Sequence, residues 1–87
     1  PEAVHALQGI YASNPIMLKQ LELSTEMNQR DLMMVSGLEQ KEFMKVLNQL
    51  VRSGFIEYGT KIQPTVRFRT AMQKIDKNTF MKRIGEQ

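Results

Sequence analysis

Residues 28–58 read "NQRDLMMVSGLEQKEFMKVLNQLVRSGFIEY", and the glycine at position 37 divides them into two helical patterns. On its N-terminal side Asn28 is placed to cap a helix, with Asp31 at the capping-box position and Met27 and Leu32 as the ends of a hydrophobic staple. This helix is predicted to be short and to end near Val35. "SGL" is then the turn, where Gly37 is free to take a positive φ. A second helix is predicted from Glu39 to Ser53, with Gly54 ending it.

The second helix carries the most informative pattern. At about 100° per residue, with Glu39 as zero, Phe43, Met44, Val46, Leu47, Leu50 and Val51 fall in a sector from roughly −20° to 140°. That sector is the expected core face. Lys41, Asn48, Arg52 and Lys45 fall at about 200°, 180°, 220° and 240°, a single stripe directed away from it. The two carboxylates lie outside the stripe: Glu39 projects onto the edge of the core sector and Glu42 onto the flank, at about 300°. Negative charge in a first turn is favoured by the helix macrodipole, by about 0.3–1 kcal/mol at exposed sites, and Glu42 can pair with Lys45 one turn on.

Outward from this stretch the period changes. "FIEYG" is aromatic and β-branched, and "TVRFRT" alternates Val66 and Phe68 with Arg67 and Arg69, so both are predicted as strands of a hairpin spanning about 54–70, with "GTKIQP" as its turn. Toward the N-terminus, Val4, Leu7, Ile10 and Tyr11 have the spacing of one buried helix face over residues 2–12. Asn14 and Pro15 then start a second helix that runs to about Glu22. Toward the C-terminus, Asp76 is placed to cap a last helix over about 76–85, with Ile75 and Phe80 at staple positions and Gly85 near its end.

Composition bounds what such a chain does. Its 87 residues form one domain with a single core. Cysteine is absent and His5 is the lone histidine, which excludes disulfides and thiolate metal sites and leaves no expected metal. His5 has no cysteine nucleophile or evident orienting carboxylate beside it, and the scattered glycines make no phosphate-cradling loop, so no enzymatic activity, cofactor or small-molecule ligand is expected. No apolar run is long enough for a membrane span, and an intracellular protein of cytoplasm, nucleoid or nucleus is expected. The first residue is proline, the mark of a processed chain or of a piece of a larger protein. Net charge is +3, unevenly placed: residues 1–60 hold five basic and seven acidic side chains, net −2, and residues 61–87 hold seven basic and two acidic, net +5. An acidic partner near the last third is implied, either nucleic acid or an acidic protein surface.

In order and in residues, "NQRDLMMVSGLEQKEFMKVLNQLVRSGFIEY" followed by an arginine-bearing hairpin resembles the winged helix-turn-helix superfamily over about residues 15–70. The matching positions are Leu32 in the first helix, Gly37 in the turn, Leu38 after it, Phe43, Val46 and Leu50 in the second helix, and the closing "SGFIE". Met33 stands where that pattern has a small residue, and Glu39 where it has Ser, Thr or Asp. The tail "VRFRTAMQKIDKNTF" is faintly similar to the C-terminal winged helices of replication initiators and origin-recognition subunits. The resemblance implies an α+β fold: a three-helix core, a two-stranded β-hairpin wing and extra N- and C-terminal helices.

It also implies duplex DNA as the partner, for a transcription regulator or a replication or maintenance protein. Lys41 and Lys45 suit phosphates or guanine edges, Asn48 has the donor and acceptor pair that reads adenine, and Gln40 lies at the end from which such helices reach bases. Arg52, and Lys61, Arg67 and Arg69 of the expected wing, would follow the backbone or enter the minor groove. The helix stripe has an alternative as a solvated polar face, and the wing arginines as guards against edge-to-edge pairing. A rival function is protein interaction through a surface rich in Met and Leu, since seven methionines are many for this length and Met33 and Met34, with Met17, Met27 and Met44, form either a plastic core or such a surface. Single-strand or RNA binding would need exposed aromatics, for which Tyr11 and Tyr58 are the candidates. The terminal helices are expected to pack as a homodimer surface or against domains of a parent protein.

Overall fold

A computed structural model of the chain describes residues 2–77. Its elements run α1 (Glu2–Ser13), α2 (Pro15–Glu22), α3 (Gln29–Ser36), α4 (Gln40–Arg52), β1 (Ile56–Tyr58), β2 (Ile62–Pro64) and α5 (Val66–Lys74). The fold is therefore α+β, five helices and a two-stranded antiparallel hairpin. Among the described residues no helix is long and apolar enough to cross a membrane.

Local chemistry accounts for the element starts. Asn14 stands at the N-cap of α2 without a side-chain capping bond, and Pro15 takes a position where a missing N–H costs nothing. Asn28 Oδ1 accepts from the Asp31 N–H at 2.8 Å while its Nδ2 donates to Asp31 Oδ2 at 3.0 Å, a reciprocal cap on α3. Gly37 ends α3 at φ 71 and Gly54 follows α4 at φ 77, left-handed conformations that cost a residue with a Cβ. Between α3 and α4, Ser36 Oγ donates to Met33 O at 2.6 Å and accepts from Leu38 N at 3.1 Å, which fixes the turn.

One core joins every element. Leu7 and Tyr11 of α1, Met17, Leu18 and Leu21 of α2, Leu32 of α3, and Phe43, Val46, Leu47 and Leu50 of α4 are buried together with Phe55, Ile56, Ile62, Phe68, Ala71, Met72 and Ile75. Phe55 and Phe68 meet edge to face at 6.4 Å. In the hairpin Ile56 pairs with Pro64 and Tyr58 with Ile62. The segment before α3 adds a third partner to the sheet, because Met27 and Ile62 exchange backbone hydrogen bonds of 2.9 and 2.7 Å.

Two sequence expectations fail after residue 64. The hairpin spans 56–64 rather than about 54–70, and "TVRFRT" is the start of a helix, not a strand. Thr65 is the reason: its side chain accepts from the Phe68 N–H at 3.3 Å as an N-cap, and its hydroxyl donates to Gly54 O at 2.6 Å. The alternation of Val66 and Phe68 is coincidental, since Val66 is 80% exposed and Phe68 is fully buried. The buried set of α5 is Phe68, Ala71, Met72 and then Ile75, a helical spacing. The expected last helix over 76–85, with Phe80 and Gly85, lies outside the described residues apart from Asp76 and Lys77, which follow the C-cap of α5 at Ile75.

Candidate nucleic-acid interface

The stripe on α4 is exposed along its length. Gln40, Lys41, Lys45, Asn48 and Arg52 are all exposed, while Phe43, Val46, Leu47 and Leu50 on the opposite face are buried. Two apolar positions differ from the sequence projection: Met44 is half-buried and Val51, in the last turn, is exposed. Among the described residues none of Lys41, Lys45 and Arg52 has an ion pair. The three cations and Asn48 thus point to solvent on one ridge, and Gln40 is exposed at the start of the helix outside it.

The glutamates behave as helix-start residues. Glu39 is the N-cap with extended backbone but makes no side-chain capping bond, and Glu42 sits in the first turn. Both carboxylates are exposed. Negative charge there offsets the partial positive charge of the helix start without entering the ridge.

The flank of this ridge holds residues the sequence reading missed. Gln29 Nε2 reaches Met44 Sδ at 3.3 Å, which seats the first turn of α3 beside α4 next to Asn48 and Lys41. Arg30, the next residue, is exposed and has no ion pair among the described residues. The signal was available: the Asn28 cap places Gln29 and Arg30 at the start of α3, but only the packing of α3 on α4 brings Gln29 to Met44. Below them a groove is lined by Gln29, Arg30, Met33, Met34, Gly37 and Leu38, with Met34 74% exposed.

The wing expectation is corrected at two of its three cations. Arg67 and Arg69 belong to α5, not to the hairpin. Arg69 is half-buried and donates to Ser24 O at 2.8 Å and to Glu22 O at 3.4 Å, satisfying carbonyls at the C-terminal end of α2. Arg67 Nε donates to Ser53 O at 2.8 Å, with its guanidinium 5.6 Å from the centre of the Phe55 ring. Lys61 does lie by the hairpin turn, where its Nζ is 3.3 Å from Glu26 Oε2. Glu57 is exposed on β1 nearby, so the hairpin is close to neutral rather than basic.

The remaining candidates sort by burial. Tyr11 is buried and offers no stacking surface, whereas Tyr58 is exposed on the hairpin. Met17 is buried, Met27 and Met44 are partly buried against the core, and Met33 and Met34 line the groove on α3. Among the described residues no cluster of three or more His, Asp or Glu side chains comes together. No family model matches the chain, and no curated protein or solved structure matches it.

Proposed function

We propose that this chain is a duplex-DNA-binding module of the winged helix-turn-helix type, in which α3, the Ser36–Leu38 turn and α4 form the reader. The observation that carries the reading is the exposed ridge of α4, whose cations have no ion pair among the described residues. The order of α2, α3, α4 and a hairpin is consistent with a winged-helix layout, and it supports the same reading.

The roles follow from chemistry and position. Gln40 and Lys41, at the N-terminal end of α4, reach base edges; Lys45 takes a phosphate or a guanine edge, and Asn48 has the geometry for adenine. Arg52 at the far end of the helix and Arg30 on α3 serve the backbone. Lys61 leaves its exposed partner Glu26 at little cost, since such surface pairs are worth about 0–1 kcal/mol. Arg67 and Arg69 are not in this set. The setting would be a transcription regulator or a replication or maintenance protein, in which this chain binds and does not catalyse.

Salt dependence tests the proposal. With some three or four phosphate contacts the logarithm of affinity should fall with the logarithm of salt at a slope of roughly −3 to −4. Lys41→Ala and Lys45→Ala should each reduce that slope by about one. Absence of any duplex binding at low salt would sink the reading.

One observation favours a second reading, protein interaction through α3. Met33, Met34, Val35 and Leu38 give that helix and turn an apolar outer face, with Met34 the most open of them. Adaptable methionine surfaces suit helical partners. Binding that is indifferent to salt and lost in Met34→Glu would support it over DNA.

A further inference from the structure

The excess of positive charge after residue 60 is only partly used by the contacts described above. Among its described members Lys61 pairs with Glu26, Lys77 pairs with Glu22 at 2.7 Å, and Arg69 serves the end of α2. Arg67 and Lys74 remain. Both line a groove between α1 and α5, together with Ala3, Val4, Thr70 and Ala71, and the groove continues past Val4 and Lys74 to His5 and Gln8. Glu2 is the one acidic residue of α1, and α5 has none.

Arg67 is held in place before any partner arrives. Its Nε is bonded to Ser53 O, its guanidinium lies over Phe55, and its Cδ packs 3.3 Å from where a Cβ on Gly54 would stand. Its two Nη groups have no protein acceptor among the described residues. A guanidinium fixed this way presents a fork matched to a carboxylate without losing further side-chain freedom. Lys74, two helical turns away, is exposed and has no ion pair among the described residues.

We propose that the α1–α5 groove docks an acidic peptide segment of a partner protein, with carboxylates on Arg67 and Lys74 and a small aliphatic side chain over Ala3 and Val4. The apolar floor favours a peptide over a phosphate backbone: half-buried Ala3 and Val4, with Val66 80% exposed on the same helix as the two cations, offer nothing to phosphates and gain from being covered. Arg67 meets α4 just past its C-terminal end, at Ser53, whereas Gln40 and Lys41 stand at its N-terminal end. About 20 Å of helix separates Arg67 from Gln40 and Lys41, while Arg52, next to Ser53, borders both surfaces.

The test uses the whole chain, isotope-labelled for amide spectra, and three probes: a peptide in which glutamate alternates with alanine and valine, its glutamine-for-glutamate counterpart, and a random-sequence duplex. The acidic peptide is expected to shift the amides of Val4, Thr70, Ala71 and Lys74, and its affinity to fall about tenfold or more in Lys74→Glu. Arg67→Gln should weaken it as well. Because Arg67 also supports the fold, Lys74→Glu, which removes no ion pair among the described residues, decides the matter if that variant unfolds. The proposal is overturned if the acidic peptide leaves those amides unshifted, if the glutamine peptide binds equally well, if Lys41→Ala and Lys45→Ala cause the same loss, or if the duplex shifts these amides in its place.

Discussion

Three glycines show how one residue type acts in opposite directions within this chain. Gly37 has φ 71 and open space where its Cβ would be, so Gly37→Ala meets only the backbone cost of the left-handed conformation, about 1–2 kcal/mol. Gly9 sits inside α1 with equally open space and a helical backbone. Gly9→Ala should therefore stabilise the fold by about 0.5–1 kcal/mol. Urea denaturation of the two variants checks the pair, and a shift of both midpoints in one direction would contradict the conformational argument. Gly54 combines a positive φ with the Arg67 side chain at 3.3 Å, which couples the end of α4 to the start of α5. At this scale the sequence was informative: Asn28 and Gly37 act as their chemistry predicts, and Asp31 accepts from the Asn28 side-chain amide, because caps and turns depend on neighbours only a few residues away.

Among the elements, α5 is where local pattern and structure part. Its start depends on Thr65, which caps Phe68 N and holds Gly54 O. Thr65→Ala is expected to cost about 1–2 kcal/mol and Thr65→Ser only a fraction of that; equal melting temperatures for Thr65→Ala and the parent chain would remove the cap from the account. The short "TVRFRT" fits both a strand and a first helical turn, since two alternating residues match either period. What resolves it is the Thr65 cap together with the helically spaced burial of Phe68, Ala71 and Met72, with Phe68 packed edge to face on Phe55. By contrast α4, thirteen residues long, was readable because its two faces differ over more than three turns.

For the whole molecule, the link between α5 and α2 sets the relation of the terminal helices to the reader. Arg69→Ala removes charged hydrogen bonds to Glu22 O and Ser24 O, a loss of about 1.5–3 kcal/mol, yet should leave the affinity of the folded protein for duplex DNA unchanged. A fall in affinity with the folded fraction held constant would return Arg69 to the DNA surface. The amphipathic α4, the Asn28 cap and the turn were determined by the sequence itself, because each rests on a period or a hydrogen bond closed within a few residues. The ridge of Lys41, Lys45, Asn48 and Arg52 was legible for the same reason. Only the tertiary structure decided that Gln29 reaches Met44 of α4 and that Arg67 and Arg69 leave the hairpin for α5. Their positions depend on Met44, Ser53, Ser24 and Glu22, partners distant in sequence, and no local pattern encodes which partner a long, charged side chain will meet.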